Sequence, residues 1–255
     1  MHDILAQLAL LLISLVANLL SALAGGGAGL LQLPALIFLG LPFATALATH
    51  KVASVALGVG ATLRHLRSGT LRPGFTLLIL ASGLPGVVLG ANLILQVDET
   101  LSQIALGLMT IGLGLYSWKN PGLGEKHSPC HRTPIGLLTG GAVLLGIGVL
   151  NGSLTSGTGL MVTLWLVRWF GLEFKQAIAY TMILVGLFWN GTGAITLGLL
   201  TEIRWDWLPA LLLGSLIGGY LGAHLSLIKG NRFIKRVFEF TTLATGAGLL
   251  WRALD

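Results

Sequence analysis

From residue 4 onward the chain is a series of long apolar runs separated by short polar breaks, and that pattern admits few folds. Runs of about 20 residues reach across the hydrocarbon core of a bilayer. Residues 4–23, 43–63, 73–95 and 101–118 form one such series, and 134–150, 174–200, 207–228 and 233–251 a second. Within lipid every backbone N–H and C=O must be satisfied inside the segment, so these runs are expected to be helices. The chain has no means to coat a soluble surface: 9% of its residues are charged and 54% hydrophobic, against about 25% charged in soluble domains. The expected fold class is an all-α polytopic membrane protein. Met1-His2-Asp3 lacks the positive region that opens a signal peptide, so the first run reads as a retained helix. The net charge of +6 comes from Lys and Arg in the short loops, which fits the positive-inside rule and gives no reason to invoke nucleic acid. Cys130 stands alone in a polar loop; His127 and His131 flank it without metal-ligand spacing.

Two glycine-rich breaks interrupt the helical pattern. The first is Ala24-Gly25-Gly26-Gly27-Ala28-Gly29-Leu30, followed by a short apolar piece, 30–39. The second, Leu154-Thr155-Ser156-Gly157-Thr158-Gly159-Leu160, precedes another short piece, 159–170. Irregular backbone at membrane depth is tolerated only where it is buried in protein or lines a cavity. Other matches recur in the same order: Gly40-Leu41 with Gly171-Leu172, Ala46-Leu47-Ala48 with Ala177-Ile178-Ala179, and Leu89-Gly90-Ala91 with Leu221-Gly222-Ala223. The chain therefore divides into a first repeat (1–118), a polar linker (119–133) and a second repeat (134–255). The loops around Arg64, Arg67 and Arg72, the linker with Lys119, Lys126 and Arg132, and the loop and helix start at Lys229, Arg232, Lys235 and Arg236 are basic. Asp98 and Glu99, and Glu202 with Asp206, lie in loops of the opposite kind. Placing the basic loops inside inverts the second repeat relative to the first. The expectation is about eight full transmembrane helices plus two short broken or re-entrant segments.

In inverted-repeat transporters, paired broken helices point to the substrate site. A helix N-terminus offers unpaired N–H groups and partial positive charge to an anion. Gly26, Gly27 and Gly29 in the first break, and Gly157, Thr158 and Gly159 in the second, are the candidate backbone contacts. Ser156 and Thr158 add hydroxyls. The competing reading is that the glycines serve helix packing. Lys51 is the one Lys or Arg between residues 30 and 63 and lies well inside an apolar run. A charge at such depth costs about 2.5–3.5 kcal/mol on insertion scales and marks a functional candidate. No carboxylate is near it in sequence, so an anionic substrate is a candidate partner; snorkelling to the interface is the alternative. Thr49 and His50 beside it, and Asn151 and Asn190 near the second break, complete the candidate set. No His-Glu-x-x-His, Gly-x-Ser-x-Gly or P-loop pattern is present, so neither hydrolysis nor ATP-driven transport is expected, and no cofactor or metal is implied.

Gly25-Gly26-Gly27-Ala28-Gly29-Leu30-Leu31 with Pro34, then Gly40-Leu41, then Ala46-Leu47-Ala48-Thr49 and Lys51, resemble the sulfite exporter TauE/SafE family. The resemblance extends over nearly the whole chain. It implies a multi-pass inner-membrane permease for small sulfur-containing anions, such as sulfite or organosulfonates, working without ATP and with a proton or another ion as candidate coupling partner. Family members often carry Asn or Ser where this chain has His50, a departure that bears on the exact substrate. An anion channel, an uptake permease for another small organic anion, and a membrane scaffold without substrate are the alternative readings.

Overall fold

A computed structural model describes residues 2–65, 71–94, 99–124 and 128–254. Arg67, Asp98, Lys126 and His127 lie outside the described residues, as does the side chain of Glu99. Ten helices account for nearly all of the described chain: α1 (His2–Ala24), α2 (Ala28–Phe38), α3 (Phe43–His65), α4 (Pro73–Leu93), α5 (Glu99–Lys119), α6 (Pro134–Ser153), α7 (Thr158–Phe170), α8 (Phe174–Leu200), α9 (Leu208–Ile228) and α10 (Asn231–Leu254). A 3₁₀ turn, Trp205–Trp207, leads into α9. The middle of α8, Thr181–Trp189, is wound as a π-helix. Among the described residues six helices are long and apolar enough to cross a membrane, fewer than the eight or so full spans expected from sequence: α1, α3, α4, α6, α8 and α9. Helix α10 opens on Arg232, Lys235, Arg236 and Glu239, which shortens its apolar stretch.

Local chemistry sets several boundaries. Pro73 and Pro134 occupy first-turn positions, where the missing N–H is no loss. Thr133 caps α6 by accepting from Gly136 N at 3.2 Å. Gly171, at φ 68°, ends α7 in the left-handed conformation that a glycine adopts without penalty.

The two short helices do not cross the molecule. Helix α2 has 11 residues and α7 has 13, so they extend about 17 and 20 Å at about 1.5 Å per residue. Each folds back on the helix before it. Trp165 Nε1 donates to Gly140 O (3.3 Å) and Trp169 Nε1 to Gly136 O (3.0 Å), laying α7 antiparallel along α6. Gln32 of α2 likewise reaches back to Ser14 of α1 (3.1 Å). The glycine breaks are thus the tips of two helical hairpins.

The most extensive helix pairings are α1 with α9, α4 with α6, α3 with α9, α3 with α8 and α5 with α10. Each joins the first half of the chain to the second. Small residues make the closest pairings possible. A Cβ on Gly214 or Gly218 of α9 would fall 2.6 or 2.5 Å from Leu11 O or Leu15 O of α1, and one on Gly148 of α6 would fall 2.5 Å from Gly83 O of α4. Helix α3 is central: 67% of its apolar window is buried, against 28% for α1. The outward face of α1 carries Ile4, Leu5, Leu8, Leu12 and Val16, all exposed. An apolar outer surface of this kind is a lipid-facing one.

One end of the helix bundle gathers the linker and most of the basic residues. Arg64 Nε donates to His224 Nδ1 at 2.9 Å, joining the ends of α3 and α9 there. Lys235 Nζ, at the start of α10, donates to Ser117 O (2.8 Å) and pairs with Glu239 (2.6 Å). At the other end, Gln7 of α1 donates to Asp206 O (2.9 Å).

Candidate functional site

The hairpin tips meet in the protein interior. Gly25, Gly26 and Gly27 have φ of 91°, 135° and 104°, and Gly157 has 74°. The first tip needs glycine for approach as well as for conformation: a Cβ on Gly26 would fall 2.5 Å from both Gly159 Cα and Leu160 N. Contacts tie the tips together. Thr163 Oγ1 donates to Gly25 O (2.6 Å), and Ser156 Oγ donates to Gly29 O (3.1 Å). In the second tip Thr155 takes the left-handed conformation, φ 61°, although it is β-branched. Such a backbone costs about 1–3 kcal/mol and persists where the surroundings over-determine it. Thr155 Oγ1 accordingly donates back to Asn151 O (3.0 Å), and Thr158 Oγ1 donates to Thr155 O (2.7 Å).

A cavity of about 30 Å³ lies between the tips. Its lining includes Gly26, Gly27, Ala28 and Gly29 of the first tip, and Thr155, Thr158 and Gly159 of the second. His50, Asn151 and Asn190 also line it, with Ser21, Ser54 and Thr181. Neither α2 nor α7 has a side-chain cap on its N-terminus, and both N-cap residues, Gly27 and Gly157, are left-handed. Two first turns, with the N–H groups that a helix leaves unpaired, therefore open beside one small polar space. Several N–H groups there are already used: Gly26 N donates to Ser21 O (2.8 Å), Leu30 N to Gly27 O (3.0 Å) and Thr158 N to Thr155 O (3.4 Å).

Lys51 is fully buried on α3. Its Nζ donates to Asn151 Oδ1 (2.7 Å) and Asn190 Oδ1 (3.0 Å), on α6 and α8. Asn151 Nδ2 passes the chain on to Thr158 Oγ1 (2.9 Å). The order of donors fixes both amide orientations: each Oδ1 faces the ammonium. Among the described residues, no carboxylate contacts Lys51. Snorkelling is excluded by its burial and by this pair of partners.

His50, next to it, is held by a second network. Its Nδ1 lies 2.9 Å from Gln32 Oε1 and its Nε2 lies 3.1 Å from Ser54 Oγ. Gln32 Nε2 donates to Ser14 Oγ (3.1 Å), so Gln32 Oε1 is the acceptor and His50 Nδ1 carries the hydrogen. Nε2 then accepts from Ser54. Ser14, Asn18 and Ser215 continue the network between α1 and α9 (Asn18 Nδ2 to Ser215 Oγ, 3.0 Å).

Of the residues expected from sequence, Gly26, Gly27, Gly29, His50, Asn151, Thr158, Gly159 and Asn190 line the cavity. Lys51, Ser156, Gly157 and Thr49 do not. Lys51 stands one residue behind it, through Asn151 and Asn190. Ser156 ties the tips, and Gly157 caps α7. Thr49 Oγ1 instead accepts from Arg204 N (2.9 Å), toward the loop before α9. Ser21, Ser54 and Thr181 were not in the expected set. Single hydroxyls in apolar helices carry no sequence signal of their own. Only the equal spacing of Ser21 before Gly27 and of Asn151 before Gly157 marked the first of them.

The cavity is small, and its polar lining comes from both tips and from α1, α3, α6 and α8. No cluster of three or more His, Cys, Asp or Glu side chains that could hold a metal is present among the described residues.

Comparison with known proteins agrees with this architecture. The model of the family described as sulfite exporter TauE/SafE matches residues 10–249. A probable membrane transporter protein of Haemophilus influenzae is 30% identical over 224 residues, 88% of this chain and 86% of that protein. The probable membrane transporter protein YfcA of Escherichia coli K12 is 28% identical over 245 residues, 95% of this chain and 88% of its own length. YunE of Bacillus subtilis, also named a probable membrane transporter protein, is 21% identical over 271 aligned positions. No solved structure matches the chain. With a family match that spans nearly all its helices, this multi-pass membrane protein belongs to the sulfite exporter TauE/SafE family.

Proposed function

We propose that the protein is a secondary transporter that carries small sulfur-containing anions, such as sulfite or organosulfonates, outward across the inner membrane. The observation that carries this reading is the meeting of two uncapped helix N-termini at one small polar cavity, with Lys51 behind it and no carboxylate beside it among the described residues. Helix N-termini favour anions through their free N–H groups and their dipoles. The family supplies the sulfur chemistry, and the small lining residues suit a compact ligand.

Alternating access in this reading rests on two inverted repeats. The pairings support it. Exchanging α1–α5 for α6–α10 maps the α1–α9 pair onto α6–α4, and the α1–α2 hairpin onto α6–α7. Side chains follow the same exchange: His50 meets Gln32 at 2.9 Å, and the matching Thr181 meets Thr163 at 2.9 Å. With the basic linker end placed in the cytoplasm, α3, α4, α5, α8, α9 and α10 cross the bilayer and the two hairpins enter from opposite sides.

The test is flux in proteoliposomes loaded with sulfite, thiosulfate or a short sulfonate. Saturable efflux above that of empty liposomes is expected for at least one of them. Absence of flux for all three, or unsaturable currents at single-channel size, would overturn the transporter reading.

A further inference from the structure

Ser21 has an unspent hydrogen bond at the site. It stands on the last turn of α1, is 2% exposed, and lines the cavity between the tips. Its Oγ has no hydrogen-bond partner. The neighbouring polar side chains are committed: His50 and Ser54 hold each other, Thr181 is held by Thr163, and Asn151 and Asn190 share Lys51. A buried hydroxyl left unpaired is unfavourable, and its persistence points to an occupant that comes and goes. The backbone holds Ser21 in place, since its carbonyl accepts from both Gly25 N (2.9 Å) and Gly26 N (2.8 Å).

Register gives the hydroxyl a meaning. Ser21 precedes the N-cap glycine Gly27 by the same number of residues as Asn151 precedes Gly157. The second-half residue receives the ammonium of Lys51, and the first-half residue receives nothing from the protein. We propose that Ser21 is a direct ligand contact, its Oγ–H donating to an oxygen of the transported oxyanion. This proposal rests on the transporter reading above. It requires a ligand that keeps at least one unsubstituted, charge-bearing oxygen, and it adds a hydroxyl from the first hairpin to the Asn151 and Asn190 amides that line the cavity in front of Lys51.

The test uses the full chain in proteoliposomes, with sulfite as the probe. Ser21→Ala is expected to raise KM about tenfold with little change in maximal rate, in line with a hydrogen bond to a charged group. Sulfite should also lose most of the thermal shift it gives the wild type in detergent. Ser21→Thr and Ser21→Val differ in the hydroxyl alone, so Thr should hold a KM several-fold below that of Val whatever the added methyl does to folding. If Ser21→Ala keeps the wild-type KM and Thr equals Val, the hydroxyl serves only a water, and the proposal is overturned while the transporter reading stands. If the wild type itself moves no sulfur oxyanion, both are overturned.

Discussion

Replacing Lys51 by Met separates what that residue does for the fold from what it does for transport. Met keeps an unbranched stem of similar length and fills the space flexibly, so the packing term is small. The change removes two donations, to Asn151 Oδ1 at 2.7 Å and to Asn190 Oδ1 at 3.0 Å. Hydrogen bonds between membrane helices average about 0.6 kcal/mol and reach about 1.7 kcal/mol. Two of them put the expected loss at about 1–3 kcal/mol, measured by unfolding in mixed micelles. A Lys51/Asn190 double-mutant cycle, with Asn190→Leu, should return a coupling of about 1 kcal/mol, because each single change strands one end of the same bond. Transport should behave differently. If the ammonium balances the anion, Lys51→Met should lower the initial rate of sulfite efflux by a factor of about 10–100, the worth of one charge-assisted hydrogen bond. Adding Asn190→Leu should recover stability without recovering flux. Wild-type flux in Lys51→Met, or flux restored by the second substitution, would show that Lys51 is only a tie between α3 and the second half. Lys51→Arg should not rescue either property, since the side chain is fully buried and its Nζ sits within 3.0 Å of two amide oxygens, a point-charge geometry that a planar guanidinium does not reproduce.

Two further outcomes test the architecture. Gly26→Ala should lower the melting temperature more than Gly40→Ala. Both positions have positive φ, 135° and 97°, but a Cβ on Gly40 meets nothing within 4 Å whereas one on Gly26 meets Gly159 and Leu160. The Gly40 change thus carries only the backbone term of about 1–3 kcal/mol, and equal losses at the two sites would deny the close contact of the tips. Orientation can be read from the single cysteine, Cys130, which is partly exposed in the linker. A membrane-impermeant maleimide should label it in inside-out vesicles and spare it in intact cells, and the reverse pattern would turn the proposed topology over.

What the sequence could disclose follows from how each signal is encoded. Membrane helices are legible because the bilayer demands a length and a polarity that few other folds need. The glycine breaks are legible because clustered glycines inside such a run favour either a break or close packing, and recurrence of the cluster favours the break. Lys51 is legible because a lone cation in an apolar helix is costly enough to be kept only for a reason. Its partners are less so: Asn151 and Asn190 were marked by nearness to the second break, but nothing in the sequence says that one ammonium draws both. Thr49 illustrates the limit. It lies two residues before Lys51, and side chains two apart on a helix face away from each other. The neighbour that shares the cavity is His50, and the Thr49 hydroxyl goes to Arg204 N. The π-helical turns of α8 had no forewarning either, since the apolar stretch from Thr181 to Trp189 reads as ordinary helix.

The differences between the halves are where specificity has to reside. A perfectly duplicated site would present the same groups to a ligand from both sides. In the two-repeat reading proposed above, the two breaks share backbone features, left-handed N-cap glycines and uncapped first turns, and differ in their side chains. His50 and Lys51 align with Thr181 and Met182 at the offset that pairs Ala46 with Ala177, and Gln32, the partner of His50, has its counterpart in Thr163, the partner of Thr181. The first-half pair is larger and richer in hydrogen-bonding groups, and it connects through Ser14 and Asn18 to Ser215 of α9. Movement of the first hairpin must therefore break or carry this network, whereas the second hairpin is anchored by Asn151 to Lys51. If the protein alternates access as proposed, the two hairpins, held by unlike networks, would open at unlike cost, and that inequality would set a preferred resting state without any change of fold.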